Sequence, residues 1–218
     1  MKFFIDTAEI DEIKSLAMLG LVDGVTTNPS LIYKSGKDFK TVIEEISSIV
    51  DGPISAEVTS LDEKKMIAQG LELSEISKNI VVKVPLTKNG LIACKELSSK
   101  NIKVNVTLCF SSAQALLAGK LGATYISPFI GRLDDIGAGG IGLIKEIILI
   151  YKNYEENIKT QVLAASIRSP LQVSQVASMG AHVATIPPKI IKQMIKHPLT
   201  DSGLEIFMND WEKTGQKF

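Results

Sequence analysis

A lysine in the middle of an apolar run is the residue of this sequence whose surroundings most favour chemistry. Lys83 lies between Val82 and Val84 in the run 80–85, so its amine is expected to be largely withdrawn from water. Withdrawal from water favours the neutral amine, which is the form that attacks a carbonyl carbon. A lysine that reaches out of a strand end, or one that pairs with a nearby acid, would give the same sequence pattern.

Polar side chains also occupy late positions in other short apolar runs. A buried polar or charged group is costly unless it is paired or functional. One such residue would be an ordinary polar group of a core, but their recurrence indicates one shared polar cavity. Besides Lys83, the set comprises Asp6, Asn28, Glu57, Asn105, Thr107, Ser127 and Ser166.

Asp6 and Glu57 are two carboxylates that could exchange protons with a substrate bound to the lysine. Breaking a carbon–carbon bond beside an imine requires removal of a proton from the hydroxyl group of the leaving carbon. Re-forming such a bond returns that proton. Either acid could instead pair with Lys83, and Asp6 could cap a helix that begins at Thr7, with Glu9 completing a capping box.

Basic residues follow two of the later runs. Arg132 lies beyond the sixth run, and Arg168 lies beyond the seventh, close to Ser166. Arginine and serine side chains at these positions would suit a phosphate group, although arginines in loops are also common on ordinary protein surfaces.

A metal site finds little support. His182 and His197 lie far apart without the spacing of a metal-binding motif, and His182 is expected to open the eighth strand in a structural role. Asp134 and Asp135 fit a solvated loop better than a cation site. We therefore predict no metal site.

Eight short apolar or β-branched runs could form the strands that carry these residues. Helical apolar spacing follows each run, and Ser111 and Ser169 are expected N-caps of two such helices. Strands that alternate with helices pair in parallel, and runs this apolar suit strands buried on both faces. The runs lie at residues 2–6, 24–28, 53–58, 80–85, 103–108, 125–130, 161–166 and 182–187.

The run count predicts a (β/α)₈ TIM barrel of the α/β class, with its active site at the C-terminal ends of the strands. The alternative is a doubly wound open sheet, which usually has fewer strands, and no GxGxxG motif follows the first run. No linker or repeat divides the sequence. We expect a single barrel domain over residues 1–218, with residues 200–218 as a C-terminal helical tail.

An apolar stripe marks this tail. Its members share one helical face at i, i+3, i+4 and i+7 spacing. The stripe could pack on its own barrel or contact another subunit, and the spacing does not decide between these alternatives. The stripe consists of Leu204, Phe207, Met208 and Trp211.

Composition excludes some classes of protein. Lysine plus arginine number 24, as do aspartate plus glutamate, so nothing suggests a nucleic-acid partner. No apolar run approaches the roughly 20 residues of a membrane helix. Cys94 and Cys109 form no motif, and the N-terminus has no signal-peptide character, so we expect a cytoplasmic protein.

Several segments resemble one known family. Residues 24–32, GVTTNPSLI, resemble the transaldolase signature, and residues 80–97, IVVKVPLTKNGLIACKEL, resemble the family's active-site lysine motif. The segments at residues 4–8, 105–107 and 127–132 follow in the family's order. The resemblance covers essentially the whole chain and points to the short transaldolases of the transaldolase/fructose-6-phosphate aldolase family.

This resemblance implies an enzyme that moves a dihydroxyacetone unit between sugar phosphates without a metal or organic cofactor. By its match to the family, Lys83 forms an imine with the ketose, and Asp6 exchanges a proton with the hydroxyl at the cleaved bond. Glu57 and Thr107 match the pair that holds a catalytic water. The implied substrate-binding residues are Asn28 and Ser127 for donor hydroxyls with Asn105 nearby, and Arg132 and Ser166, with Arg168 added, for phosphate.

The resemblance also bears on the reaction type. The aldolase branch carries glutamine at the position of Glu57, tyrosine at that of Phe129 and alanine at that of Ser127, so these residues favour transfer. A fructose-6-phosphate aldolase is the first alternative, and a non-catalytic sugar-phosphate-binding barrel is the second. Short family members form rings in which the C-terminal helix reaches a neighbour, so we expect a homo-oligomer, either a pentamer or a decamer.

Overall fold

The strands of the protein close into a parallel barrel. In the computed structural model, which describes residues 1–217, each strand pairs with its sequence neighbour and the first pairs with the last. The predicted TIM barrel is therefore confirmed. The strands are β1 (Lys2–Asp6), β2 (Gly24–Thr26), β3 (Ile54–Glu57), β4 (Ile80–Pro85), β5 (Val104–Cys109), β6 (Tyr125–Pro128), β7 (Gln161–Ala164) and β8 (Val183–Ile186).

Helices surround the barrel and begin at identifiable caps. Ser111 and Ser169 accept hydrogen bonds from the backbone N–H groups of Gln114 and Gln172, which confirms both predicted N-caps. The helices are α1 (Ile10–Met18), α2 (Pro29–Ser35), α3 (Phe39–Ile49), α4 (Glu63–Ser74), α5 (Lys88–Ser99), α6 (Ser112–Lys120), α7 (Ile130–Asp134), α8 (Gly140–Asn153), α9 (Pro170–Ser178), α10 (Pro188–Ile195) and α11 (Pro198–Lys213).

A continuous apolar layer joins the strands to the helices. Outward-facing strand residues such as Val82 and Ile126 belong to the same buried cluster as Ile43, Leu97 and Ile147 from the helices. Complete burial of a branched aliphatic side chain contributes about 1.5–3 kcal/mol. This layer therefore holds each helix against the strand beside it.

A second, separate apolar cluster fills the interior of the barrel beneath the C-terminal ends of the strands. Phe4 and Tyr125 meet edge to face with their ring centroids 5.7 Å apart, and Gly24 makes room for the Phe4 ring. A Cβ atom on Gly24 would stand 2.6 Å from that ring. The cluster consists of Phe4, Val81, Tyr125, Leu163, Ala165 and Val183, with Phe129 packed against it.

A polar layer lies directly above this cluster. Side chains two residues apart on a strand share a face, so the residues that follow the apolar cluster also point into the barrel. The succession is Phe4 then Asp6, Val81 then Lys83, Tyr125 then Ser127, and Val183 then Thr185. The alternation of the strands thus gathers the polar side chains at the C-terminal end of the barrel.

The eighth strand begins one residue later than the predicted run. His182 precedes β8, and its Nδ1 accepts a hydrogen bond of 3.1 Å from the backbone N–H of Val162. Burial lowers the pKa of this imidazole. Its position at the N-terminal end of the barrel agrees with a structural role.

The C-terminal helix stands apart from the barrel core. None of the described residues of α11 is buried, and Leu204, Phe207 and Met208 are exposed, whereas Trp211 is partly buried. The helix begins at Pro198, slightly before the predicted tail of residues 200–218, and residue 218 of that tail lies outside the described residues. Within residues 1–217, no helix has the length and apolar composition needed to cross a membrane.

A pair of glycines tests how tightly α5 packs on the strand that carries Lys83. Gly90 and Gly142 are each the third residue of a helix, but a Cβ atom at Gly90 would stand 1.8 Å from the carbonyl oxygen of Pro85, whereas Gly142 has open space. We expect Gly90→Ala to lower the free energy of unfolding by about 1–3 kcal/mol through overpacking. Gly142→Ala should raise it by about 0.5–1 kcal/mol.

Urea unfolding of both variants checks this expectation. Equal effects of the two substitutions would contradict the tight contact between α5 and β4.

Candidate active site

A cavity of about 520 Å³ opens at the C-terminal ends of the strands. Every predicted site residue except Asn105 lines it. These lining residues are Asp6, Asn28, Glu57, Lys83, Thr107, Ser127, Phe129, Arg132, Ser166 and Arg168. The structure therefore brings together side chains from β1 to the segment after β7.

Lys83 lies at the floor of the cavity with only 5% of its surface exposed. Its Nζ lies 2.9 Å from Glu57 Oε2 and donates a hydrogen bond of 3.0 Å to the carbonyl oxygen of Thr27. Glu57 and Lys83 occupy paired positions on β3 and β4. Of the alternatives left by the sequence, the lysine pairs with an acid and does not reach out into solvent, and this pair lies inside the cavity.

Asp6 lies on the same floor, at the end of β1. Its Oδ1 accepts a hydrogen bond of 2.8 Å from Thr26 Oγ1. Burial raises the pKa of the Asp6 carboxyl above its ordinary value of 3.8, while the charge of Lys83 and the Thr26 hydrogen bond act in the opposite direction. A carboxyl group of this kind is suited to taking up and returning a proton.

The alternative role of Asp6 as a helix cap is wrong. The first helix does not begin at Thr7 but at Ile10, and its N-cap residue, Glu9, makes no side-chain capping bond. The backbone N–H of Glu9 instead donates to Thr7 Oγ1. Asp6 therefore caps no helix, and its side chain lines the cavity.

Asn105 lies behind the cavity wall. It is fully buried, its Oδ1 accepts from Ser127 Oγ at 2.7 Å, and its Nδ2 donates to Ser55 Oγ at 3.1 Å. Both ends of the amide are thus occupied, one by a residue of the adjacent strand β6 and the other by a residue of β3 across the barrel interior. In this structure, Asn105 holds the hydroxyl group of Ser127 in place, whereas Ser127 itself faces the cavity.

The two polar atoms of the Asn28 side chain have different roles, one in capping a helix and one toward the cavity. Its Oδ1 accepts a hydrogen bond of 3.0 Å from the backbone N–H of Leu31 and so caps α2. This bond fixes the amide plane at the cavity wall. The Nδ2 group is then the part of Asn28 that can donate to a bound molecule.

Thr107 and Leu108 both line the cavity although they are consecutive residues of β5. An unbroken strand would turn one of them away. The register between β5 and β6 shifts between Val106 and Cys109, and Leu108 has a φ of 59°. Thr107 Oγ1 is buried and has no hydrogen-bond partner among the described residues, so it is poised to bind a water or a substrate group.

The opposite side of the cavity is cationic. The Arg132 guanidinium lies 5.1 Å from the centre of the Phe129 ring, and Arg168 pairs with Asp135 at 2.8 Å. Ser166, with a φ of 59°, lies between them in sequence. Two guanidinium groups and a hydroxyl at one cavity wall are suited to a phosphate group.

Gly131 allows this wall to be close-packed. A Cβ atom there would stand 2.3 Å from the carbonyl oxygen of Ser166 and 2.7 Å from the Arg168 side chain. The backbone N–H of Gly131 donates to that same oxygen at 2.9 Å. The absence of a side chain therefore lets the segment after β6 lie directly against the segment after β7.

Other reactive groups do not contribute to the cavity. Burial raises the pKa of both thiols, Cys94 and Cys109, to about 11. Asp134 accepts hydrogen bonds from the backbone N–H of Gly140, the first residue of α8, and from the Gln172 side chain, so it has structural partners outside the cavity. The described residues contain no group of three or more His, Cys, Asp or Glu residues that could hold a metal ion.

Sequence reasoning missed several residues of the cavity. The positions of Thr26 and Thr185 could have been predicted, because in each strand they fall among the alternate residues that point into the barrel. Threonine is equally common at outward-facing strand positions, however, so its type alone did not single them out. Four of the remaining residues lie on α2, and Leu108 lies at the irregular part of β5, so alternation gives no guide to them. Ala165 follows β7 and is an apolar residue without a chemical signal. The missed residues are Thr26, Pro29, Ser30, Leu31, Lys34, Leu108, Ala165 and Thr185.

Comparison with known proteins agrees with the sequence resemblance. The chain matches the family model described as Transaldolase/Fructose-6-phosphate aldolase over residues 3–218. It is 61% identical to a probable transaldolase of Parvibaculum lavamentivorans, over 100% of this chain and 99% of that protein. It is 59% identical to the probable transaldolases of Caldicellulosiruptor saccharolyticus and Clostridioides difficile, each over 100% of both chains.

The raised pKa of Asp6 has a consequence for stability. The folded protein holds the Asp6 proton more tightly than the unfolded chain, so stability is lost as pH rises from the ordinary pKa of 3.8 through the raised value. Asp6→Asn should therefore raise the thermal midpoint at neutral pH. This gain should shrink below the ordinary pKa.

Asp38→Asn is a matched control with the opposite sign. Hydrogen bonds from Thr41, chiefly from its backbone N–H, lower the pKa of Asp38 at the N-cap of α3. Asp38 therefore stabilises the fold above its ordinary pKa and loses that effect as pH falls. Thermal melts of both variants over about five pH units, from roughly pH 3 to pH 8, measure these effects. If the thermal midpoints of both variants shifted in the same direction at neutral pH, the account would be contradicted.

Proposed function

Since this chain belongs to the transaldolase/fructose-6-phosphate aldolase family, we propose that it is a transaldolase of the pentose phosphate pathway. It transfers a dihydroxyacetone unit from sedoheptulose 7-phosphate or fructose 6-phosphate to glyceraldehyde 3-phosphate or erythrose 4-phosphate. The observation that carries the proposal is the buried Lys83–Glu57 pair, which shares one cavity floor with Asp6 and one cavity with two arginines.

The reaction begins at Lys83. Its Nζ attacks the carbonyl carbon of the ketose, and the proton that the nitrogen must lose has an acceptor in Glu57, 2.9 Å away. The resulting carbinolamine loses water to give an imine. Thr107, with its unpartnered hydroxyl group, and Glu57 are the residues that hold this water as it leaves and later returns.

Asp6 then controls cleavage. It removes the proton from the hydroxyl group on the fourth carbon, the bond between the third and fourth carbons breaks, and an aldose phosphate leaves. The electron pair of the broken bond is delocalised into the imine. When an acceptor aldehyde binds, the same carbon attacks it, and Asp6 returns its proton to the new hydroxyl group.

The remaining polar groups orient the donor. Asn28 and Ser127 reach its hydroxyl groups, and Ser127 is held for this task by Asn105. Arg132, Ser166 and Arg168 bind the phosphate at the other end. Fixing both ends of the sugar places its carbonyl carbon at Lys83, which supplies much of the advantage of an enclosed site.

Transfer, as opposed to release of free dihydroxyacetone, is supported by the groups beside the bound fragment. Phe129 lines the cavity but has no hydroxyl group to protonate the carbanion. Its ring is held edge to face against Phe110 at 5.8 Å and beneath Arg132. The family's aldolase branch places tyrosine here, glutamine at Glu57 and alanine at Ser127, so the carbanion in this protein survives until an acceptor arrives.

Acceptor dependence tests this proposal directly. With fructose 6-phosphate alone, the wild-type protein should release little dihydroxyacetone, whereas addition of erythrose 4-phosphate should give rapid formation of sedoheptulose 7-phosphate. Phe129→Tyr should raise acceptor-free release by roughly tenfold or more, because the new hydroxyl group donates a proton to the carbanion.

Phe110→Tyr provides the control for this experiment. Phe110 contacts the Phe129 ring but does not line the cavity, so a hydroxyl group there has no access to the carbanion. Rapid acceptor-free release by the wild-type protein would favour the aldolase alternative. Equal release by the two tyrosine variants would refute the proposed role of Phe129.

We also propose that the protein is a homo-oligomer, a pentamer or a decamer, in which α11 packs on a neighbouring copy. The proposal is supported by the exposed apolar side chains of α11, because Leu204, Phe207 and Met208 are 57%, 72% and 57% exposed. Apolar side chains clustered on one helix usually mark an interface. The family resemblance supplies the ring sizes.

Light scattering tests the contribution of α11. Phe207→Glu should reduce the molar mass toward that of smaller assemblies, because a charge in an apolar contact is costly. Asn209→Glu, on an exposed position of the same helix, should leave the mass unchanged. An unchanged mass for Phe207→Glu would place the subunit contacts elsewhere.

A further inference from the structure

Two buried threonines flank the strand that carries Asp6. Thr26 lies opposite Asp6 on β2, and Thr185 lies on β8, which pairs with the other edge of β1. Their exposed fractions are 2% and 3%, and both line the cavity. Hydroxyl groups in such positions must find partners, since a buried unpaired polar group is costly.

The partners form a chain that ends at Asp6. Thr26 Oγ1 donates to Asp6 Oδ1 at 2.8 Å, and the hydroxyl groups of Thr26 and Thr185 lie within hydrogen-bond distance of each other. A hydroxyl group has one proton, so Thr26 cannot donate to both neighbours. While Thr26 donates to the carboxylate, Thr185 must donate to Thr26, and the chain has a fixed direction.

We propose that Thr26 and Thr185 are positioning residues that form a two-hydroxyl chain orienting the Asp6 carboxylate for proton exchange with the substrate. This inference rests on the proposed aldol transfer. Thr26 is the described residue whose side chain donates to the carboxyl, and it does so at Oδ1. The proton from the substrate hydroxyl is then received at the other oxygen, Oδ2, and neither threonine gains or loses a proton in the cycle.

The chain also sets the charge state of Asp6. A hydrogen bond to the ionised form favours that form, so Thr26 opposes the effect of burial on the pKa of Asp6. Thr185 polarises the Thr26 hydroxyl group and strengthens that bond. The charged groups that share the cavity with Asp6 are Glu57 on β3 and Lys83 on β4, with Lys34, Arg132 and Arg168 toward the mouth.

Valine and serine replacements separate the hydroxyl group from the shape of the side chain. Thr26→Val keeps the branched shape but removes the donor, so the pKa of Asp6 should rise further. The acid limb of the kcat/KM profile, which requires ionised Asp6, should move to higher pH by about one unit, with a smaller effect on KM. Thr26→Ser keeps the donor and should keep the acid limb at its wild-type position.

Thr185 gives an independent pair of variants. Thr185→Val should move the acid limb in the same direction by a smaller amount, and Thr185→Ser should restore it. Thr160→Val is the control, because Thr160 is equally buried but donates to the Ala123 carbonyl at the other end of the barrel. That variant should leave the profile unchanged.

Carbon-13 NMR titration of labelled aspartate in the resting protein, with Asp6 assigned through Asp6→Asn, measures the same effect without turnover. If the wild-type protein does not transfer, the proposed function fails, but this titration still tests the chain. Shifts in the two valine variants and wild-type behaviour in the serine variants would support it. An unshifted Asp6 titration in Thr26→Val, or equal shifts in Val and Ser variants, would overturn it.

Discussion

Burial of the Lys83 amine is the constraint on which the rest of the site depends. Withdrawing an ammonium group from water costs several kcal/mol, and the cost is offset only when charge and hydrogen bonds are supplied in good geometry. Glu57 supplies the charge and the Thr27 carbonyl supplies an acceptor. Because these groups come from β3 and from the residue that follows β2, the lysine can be satisfied only when three neighbouring strands have reached their final register.

Closure of the barrel extends this arrangement to a complete reaction site. The apolar cluster around Phe4 and Tyr125 fills the barrel interior beneath the cavity, so the polar side chains of the cavity rest on an apolar layer. In such surroundings, a carboxyl group such as Asp6 is harder to ionise, and each hydrogen bond to it matters more. The same packing that stabilises the fold therefore prepares the proton transfers that the proposed reaction needs.

Alternation made much of this fold and site predictable from the sequence. Lys83 stands two residues after Val81, and Ser127 two after Tyr125, so their inward direction follows from strand geometry alone. Alternation did not reveal which inward-facing residues reach the cavity. Asn105 and Thr107 share a face of β5, yet Thr107 lines the cavity whereas Asn105 is fully buried behind its wall.

Local irregularities were not predictable in the same way. The bulge that turns Leu108 toward the cavity depends on pairing with β6, and so no short window of sequence encodes it. The capping-box pattern after Asp6 was misleading because strand pairing, a tertiary effect, outweighed a local helix signal at Thr7. The threonine chain to Asp6 joins residues 26 and 185, which only the closed barrel brings together.

Formation of an imine by Lys83 is the central claim of this account. Borohydride reduces an imine to a stable amine, so treatment of the protein with fructose 6-phosphate and borohydride should fix a reduced dihydroxyacetone unit on the peptide that contains Lys83. Peptide mass spectrometry locates the adduct, and Lys83→Met should abolish it. An adduct on Lys34, which also lines the cavity, in place of Lys83 would contradict the claim. So would the absence of any adduct under conditions in which transfer proceeds.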